Sequence, residues 1–418
     1  MARAKLHSPA KPSNVLDHAL IVRFPGPKSF TGEDVVELHA HGGPAVVKSI
    51  LSALGSLNGF RMADRGEFAH RAFLNGKLDL SEVEGLKDLV NAETEVQRQL
   101  AINQSSGALS SMYERWRTTI VSSMGHMEAL IDFAEDEQFE DGVWDNTRNR
   151  ITDLSASIST FLSDNRRGEI LRQGIRTTLF GAPNAGKSSL LNHLAQRSVA
   201  IVSPIPGTTR DIVETTVDIA GYPVVVGDTA GIRPASDTQD AIELMGMHRA
   251  RDRIENETDL RVCVMDLTRA LEEQVPASAQ AWITDQTLVV LNKADAVSLD
   301  VVEAVRSKVG KWTQHVAVVS LTSGQGVLEL NQVLAQLLAS VYGEAMDRTG
   351  APVLTNARHR AHLEACQAAL GRFLDNEHDV VLAAEELRLA ATSIGRITGR
   401  VDTEAVLDVV FSDFCIGK

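Results

Sequence analysis

The chain has 418 residues, 44% hydrophobic and 23% charged, which suits roughly two to four packed domains and excludes a disordered or fibrous chain. Its net charge of −14 excludes an overall field that draws nucleic acid, so any RNA contact must use a local basic patch or a partner. No apolar run approaches the roughly 18 residues of a membrane span. The basic start MARAKLHSPAKPS leads into no secretory core, and the three widely spaced cysteines, Cys263, Cys366 and Cys415, exclude a disulfide framework and fit a reducing, cytoplasmic setting.

Residues 19–50 read as short strands and turns. LIVRF (20–24) is apolar, FPGPKSFTGED (24–34) carries the Pro and Gly of a loop, and VVELHAHGG (35–43) alternates before two glycines. Glu37, His39 and His41 recur at alternate positions there and would share one strand face as metal ligands. From about Leu80 the period becomes helical. Ser81 and Glu84 have capping-box spacing, Val83, Leu86 and Val90 start an apolar stripe, and two or three long helices are expected up to about Gly168. In the last of them Ile151, Leu154, Ile158, Phe161 and Leu162 share a face.

From Gly174 strands and helices alternate. Strands are predicted at 175–180, 213–219, 223–228, 260–266, 286–291 and 315–320, with helices between most of them, hence a mostly parallel sheet covered on both faces. The second and third are linked by AGYP (220–223), as in a hairpin. After about Ser340 helices are expected at 357–374, 380–392 and 403–411. The α/β domain is therefore inserted between two helical segments.

GAPNAGKSS (181–189) matches a phosphate loop at Gly181, Gly186, Lys187 and Ser188, after a predicted strand and before a helix. Its glycines let the backbone N–H groups from Asn184 through Ala185, Gly186 and Ser189 close around phosphates, Lys187 adds a point charge, and the Ser188 hydroxyl is a Mg²⁺ ligand. PGTTRD (206–211) supplies Thr208 or Thr209 to close over Mg²⁺ as a switch. DTAG (228–231) offers Asp228 to Mg²⁺ through water and the Gly231 N–H to the γ-phosphate. NKAD (292–295) reads the base. The Asp295 carboxylate accepts from guanine N1–H and the exocyclic amine, whereas adenine would leave it unpaired; Asn292 braces the loops and Lys293 lies along the base. Ser320 begins a last guanine-contacting turn. Each motif alone is compatible with an ordinary strand-end turn; together, in order and each at a strand end, they specify a GTPase. Ile232 stands where Ras-like enzymes have the water-orienting Gln, which leaves Asp237, Asp240 and Glu243 as nearby carboxylates.

Three blocks then resemble one family, the tRNA modification GTPases called MnmE or TrmE: FPGPKSFTGEDVVELHAHGG with GEFAHRAFLNGKLDL, the GTPase motifs, and the terminal FCIGK. The resemblance runs from about Leu16 to the end. It implies an α/β P-loop GTPase domain (171–342) inserted into an all-α helical domain (77–170 and 343–418), preceded by a small α+β folate-binding and dimerisation domain (1–76). It implies a homodimer whose G domains meet across their nucleotide faces, with potassium in place of an arginine finger. Asn184, Ser203, Ile205 and Thr208 match the potassium ligands, and Ser188 and Thr209 the Mg²⁺ ligands. Glu243, three residues before Gly246, matches the water-orienting glutamate. Further implications are an FAD-dependent partner of the MnmG (GidA) type and transfer of a carboxymethylaminomethyl-type group to C5 of the tRNA wobble uridine. The one-carbon unit comes from a tetrahydrofolate held by Glu37 and Lys77, and Cys415 is implicated in the chemistry. Family members carry a Gly-rich stretch ahead of the first block that supplies a strand and an arginine toward folate; this sequence has none, and Arg65 stands where the family has Pro before GEF. A regulatory switch of the ribosome-assembly type would need only the G domain, and the folate-type block and terminal cysteine separate the two readings.

Overall fold

The computed structural model describes residues 2–132, 140–164, 166–197, 214–227, 257–270, 280–343, 352–376 and 379–401. In chain order the described elements start with β1 (Ala2–Ser8), β2 (Lys11–Phe24), β3 (Val35–His39), α1 (Pro44–Gly55) and α2 (Glu67–Leu74). Then come α3 (Leu80–Asn91), α4 (Glu95–Ser105), α5 (Ala108–Asp132), α6 (Glu140–Leu162) and α7 (Arg167–Gln173). The α/β part holds β4 (Ile175–Phe180), α8 (Lys187–Arg197), β5 (Glu214–Ile219), β6 (Tyr222–Gly227), β7 (Leu260–Asp266), β8 (Thr287–Asn292), α9 (Leu299–Val309), β9 (Val316–Val318) and α10 (Val327–Tyr342). Two long helices follow, α11 (Ala357–Asp375) and α12 (Val380–Thr398). Backbone contacts divide the chain into two compact units, one of Met1–Lys87, Gln104–Ser155 and Ala365–Lys418, the other of Asp88–Asn103 and Ala156–Glu364.

In the first unit β1, β2 and β3 form an antiparallel sheet in that order, with Ala19 buried opposite Ala4. The region read as strands and turns also contains the helix α1, which Pro44 opens from its first turn, where the missing N–H costs nothing. The start of α3 differs from expectation too. The capping pair is Asp79 and Glu82, not Ser81 and Glu84: Asp79 Oδ1 accepts from the Glu82 N–H at 2.9 Å and Glu82 Oε2 accepts from the Asp79 N–H at 2.8 Å. Ser81 and Glu84 are buried inside the helix instead. Asp79 wins because a carboxylate beside the helix start satisfies an orphan N–H and meets the positive end of the dipole. Helices α5 and α12 lie along one another. Leu109, Met112, Trp116, Ile120 and Met127 of the first and Ala383, Leu387, Ala390, Ile394 and Ile397 of the second are buried at three- and four-residue spacing. Asp379 caps α12, accepting from the Val381 and Leu382 N–H groups at 3.0 Å each.

In the second unit the six strands run β5-β6-β4-β7-β8-β9, parallel except for β5, which pairs antiparallel with β6. The β5–β6 link is a tight turn in which Ala220 and Gly221 both take positive φ (53° and 90°), the geometry a two-residue hairpin needs. The apolar runs of β7 and β8 serve two cores at once. Val262, Val264, Leu288 and Val290 pack on one face with Val96 and Leu100 of α4, Leu171 of α7, Leu190 of α8 and Leu334 of α10. Cys263, Met265, Val289 and Leu291 pack on the other with Phe180, Trp282, Val302 and Val309. Period-two alternation with both sides apolar is what a doubly covered sheet requires, and each such side chain contributes about 1.5–3 kcal/mol by leaving water. Strand β9 is shorter than the predicted 315–320, because Ser320 leaves it to pair with Gln325.

Segment 88–103 belongs to the α/β unit and is tied to it by polar contacts. Arg172 grips Asp88 with Nε and Nη2 at 2.6 and 2.8 Å, the Gln97 amide donates to the Arg172 carbonyl at 3.1 Å, and the Val96 N–H donates to the Gly221 carbonyl at 3.1 Å. At the return of the chain Arg360 ties α11 to the connector before α7, donating to the Leu162 carbonyl at 2.9 Å, to Asp164 at 2.5 Å and to buried Glu169. Gly168 makes that approach possible, since a Cβ there would sit 2.2 Å from the Leu354 carbonyl oxygen. Gly168→Ala is therefore expected to lower stability by about 1–3 kcal/mol, read as a lower urea midpoint at unchanged slope.

Candidate nucleotide-binding site

The predicted motifs that fall in the described residues lie at the C-terminal ends of β4, β8 and β9, one edge of a parallel sheet, where a ligand meets strand-end loops. The loop after β4 is shaped by close approach. Gly181 takes φ 141° with its Cα against Val264, and an added Cβ would lie 2.1 Å from the Val264 carbonyl oxygen. Gly186 takes φ 109°, and a Cβ there would lie 2.2 Å from Asn292 Nδ2. Asn184 sits at φ 62°, a left-handed conformation that asparagine tolerates better than other side-chain-bearing residues. Helix α8 starts at Lys187, and the Leu190 N–H makes its bond to the Gly186 carbonyl at 2.9 Å. The N–H groups of the preceding turn have no acceptor within the helix, which makes this end a cradle for phosphate oxygens.

Lys187 is only 7% exposed. Its ammonium donates to the Gly181 and Ala182 carbonyls at 3.1 and 2.9 Å, so it already spans the loop it serves. Ser188 and Ser189 are exposed at the helix start and Ala185 is buried beneath the loop. Cys263 lies under the same edge, wholly buried; burial pushes its thiol up to about 12 while Lys187 pulls the other way.

The base side is joined to the phosphate side through Asn292. Its Nδ2 donates to the Ala185 carbonyl at 2.8 Å, and its Oδ1 accepts from the Leu321 N–H at 3.2 Å. One buried amide thus fixes three loops. Lys293 follows in a left-handed conformation (φ 66°) with its ammonium 2.6 Å from Asp266 Oδ2. Asp295 is exposed in the short 3₁₀ turn Ala294–Ala296. Ser320 is buried, and its hydroxyl accepts from the Ser323 N–H at 3.2 Å within its own turn. Leu321 lies in the turn expected after the last strand, whereas Asp266 was not singled out in the sequence. The available signal for Asp266 was an acid ending the apolar strand LRVCVMD, the same position that DTAG and NKAD take on their strands.

The switch and catalytic expectations Ser203, Ile205, Thr208, Thr209, Asp228, Gly231 and Glu243 lie outside the described residues, as does Cys415. In the other unit Glu37 is exposed and pairs with His39 at 3.0 Å, whereas His41 Nδ1 pairs with Asp17 at 2.7 Å. The alternation of Glu37, His39 and His41, to which the resemblance assigns no metal, does not assemble into a ligand set. β3 ends at His39, which takes His41 off the shared face, and no group of three metal-ligating side chains occurs among the described residues. Lys77 is exposed, with its ammonium 3.1 Å from the Pro27 carbonyl. The Mg²⁺ expectation fits what is present: a glycine cradle that Cβ atoms would fill, an exposed serine hydroxyl at a helix start, and no need for a carboxylate cluster.

A glycine-shaped phosphate loop cross-braced to an NKAD turn at one sheet edge defines a P-loop GTPase. Comparison with known proteins narrows this. Residues 80–415 match the MnmE helical domain and residues 1–77 the N-terminus of the GTP-binding protein TrmE. The tRNA modification GTPase MnmE of Paramagnetospirillum magneticum is 47% identical over 404 residues, covering 97% of this chain and 87% of that protein. A zebrafish (Danio rerio) protein, the mitochondrial 5-taurinomethyluridine-[tRNA] synthase subunit GTPB3, is 45% identical over 431 residues, covering 99% of this chain and 85% of its own. The chain belongs to the MnmE (TrmE) family, with its GTPase domain inserted in the helical domain. No described helix is long and apolar enough to cross a membrane.

Gly186→Ala is expected to weaken GDP binding about tenfold or more in a fluorescent-nucleotide titration, because the new methyl displaces Asn292. Cys263 and Cys366, both raised to about 12 by burial, are expected to stay unmodified by Ellman's reagent at pH 8 in the folded protein and to react once it is unfolded in guanidinium.

Proposed function

We propose that this protein is a potassium-stimulated GTPase that acts, with an FAD-dependent partner of the MnmG type, in modifying C5 of the tRNA wobble uridine. The observation that carries the nucleotide part is the Asn292 bridge, which holds the phosphate loop and the base loop at one sheet edge. Asp295 stands exposed beyond it, free to accept two hydrogen bonds from guanine. The similarity to a tRNA modification GTPase and to a tRNA synthase subunit for a modified uridine supports the tRNA part.

In this reading Lys187 shifts its ammonium from the Gly181 and Ala182 carbonyls toward the β- and γ-phosphates, a short move from where it sits. Ser188 and Thr209 would hold Mg²⁺, which would supply positive charge to the phosphates. Asn184, exposed and left-handed in its backbone, would hold a potassium ion together with Ser203, Ile205 and Thr208. Asp228 and Gly231 close on the γ-phosphate, and Glu243 orients the attacking water in place of the absent Ras-type Gln. Potassium held there would supply the positive charge of an arginine finger, and two G domains of a homodimer would meet across their nucleotide faces to complete the site. Glu37 and Lys77 belong to a tetrahydrofolate site in the first unit, Cys415 serves the group transfer, and the reaction takes place in the cytoplasm.

GTP turnover per protomer is expected to be faster in potassium than in sodium chloride and to rise with protein concentration. Equal rates in the two salts would remove the potassium role of Asn184. Glu243→Ala is expected to bind GTP as the parent does and to hydrolyse it about 100-fold more slowly in single-turnover assays. Asp295→Asn is expected to move the preference from GTP to XTP, and retained GTP selectivity would take base reading away from NKAD.

A further inference from the structure

We propose that Asp266 is a positioning residue for guanine recognition: by holding the Lys293 ammonium it sets the Lys293 side chain as a fixed wall of the base site. This rests on reading 292–295 as the base loop. Asp266 ends β7 and is the register partner of Asn292 at the end of β8, and the Leu267 N–H donates to the Asn292 carbonyl at 3.0 Å. Its carboxylate, 2% exposed, is divided between two tasks. Oδ1 accepts from the Thr268 N–H at 2.9 Å and from the Thr268 hydroxyl at 2.6 Å, which fixes the turn after β7. Oδ2 reaches Lys293, 27 positions away, at 2.6 Å, and Arg269 Nε lies 3.9 Å from the same oxygen. An acid that served only its own turn would be satisfied by Oδ1. Here the nearer partner of the second oxygen stands on the neighbouring loop.

The consequence for Lys293 is loss of freedom. A lysine carries four rotatable side-chain bonds and ordinarily sweeps solvent. Its side chain here is 38% exposed yet anchored at its far end, and its backbone is held in a left-handed turn. The methylenes between the two anchors become an apolar edge beside Asp295, suited to the flat face of a purine whose polar edge Asp295 reads. Burial works to raise the Asp266 pKa, but the hydrogen bonds from Lys293 and Thr268 outweigh it and hold the group below the usual carboxylate range. The anchor therefore stays charged at neutral pH. Asp266 acts through Lys293 and touches no nucleotide.

The test is a double-mutant cycle on the full chain with Asp266→Asn, Lys293→Met and both together, read by GDP affinity, GTP turnover and thermal melting. Asp266→Asn keeps the Thr268 contacts of Oδ1 and loses the close ion pair with Lys293 and the longer one with Arg269. Each single variant is expected to raise the GDP Kd and the GTP KM about tenfold with kcat at saturation unchanged, and the double variant to be no weaker than the weaker single. Losses that multiply in the double variant would overturn the proposal, as would an unchanged Kd for Asp266→Asn. A weakened Kd accompanied by a fall in both kcat and melting temperature would mark a general structural role and also overturn it. The parent chain's preference for GDP over ADP is the control: its absence would bring down the base-loop reading itself, whereas a retained preference with Asp266→Asn unaffected defeats this inference alone.

Discussion

The amide of Asn292 is the contact on which the nucleotide site depends. It is buried against Gly186, donates to the Ala185 carbonyl and accepts from the Leu321 N–H, so a single planar group sets the separation of the phosphate loop, the base loop and the turn after β9. A buried amide left without either partner costs about 1–3 kcal/mol, which is why the three loops hold one arrangement. Gly186 follows from this constraint: there is no room for a side chain where Asn292 sits.

The constraint can be met only because the strands beneath it end together. β4, β7 and β8 are adjacent and parallel, so their C-terminal loops open on one edge, and their alternate side chains bury into two separate cores. The helices that cover the sheet come from well apart in sequence. Val96 and Leu100 of α4 and Leu334 of α10 share a core, and Arg172 with Asp88 and Arg360 with Glu169 secure the outer segments by charge. Exposed ion pairs contribute little, but these are part-buried, and removing one partner would leave the other desolvated without compensation.

The phosphate loop and the order of strands and helices around it were legible in the sequence because they are local. The glycine-rich turn, the preceding strand and the following helical stripe are all read from near neighbours, and β7 and β8 read as mostly apolar runs because both their faces are covered. The first unit was less legible. Helix α1 follows two glycines and opens on a proline, which together resemble a loop. At α3 two overlapping capping patterns stood side by side, and the one with the carboxylate nearest the helix start prevailed. Glu37, His39 and His41 had the right alternation for a shared face, but the strand ended before the third of them, and Asp17 on the adjoining strand claimed it.

The sequence alone determined that this chain carries a phosphate loop, an NKAD turn and the blocks of the MnmE family, since each is a short pattern whose chemistry depends on near neighbours. Only the tertiary structure decided how those pieces are held. That Asp266 faces Lys293 across 27 positions, that Arg360 closes on Glu169 across 191, and that segment 88–103 packs with the α/β unit all depend on which strands pair and which helices cover them. Those pairings are set by burial summed over the whole chain, and no short stretch of sequence contains them.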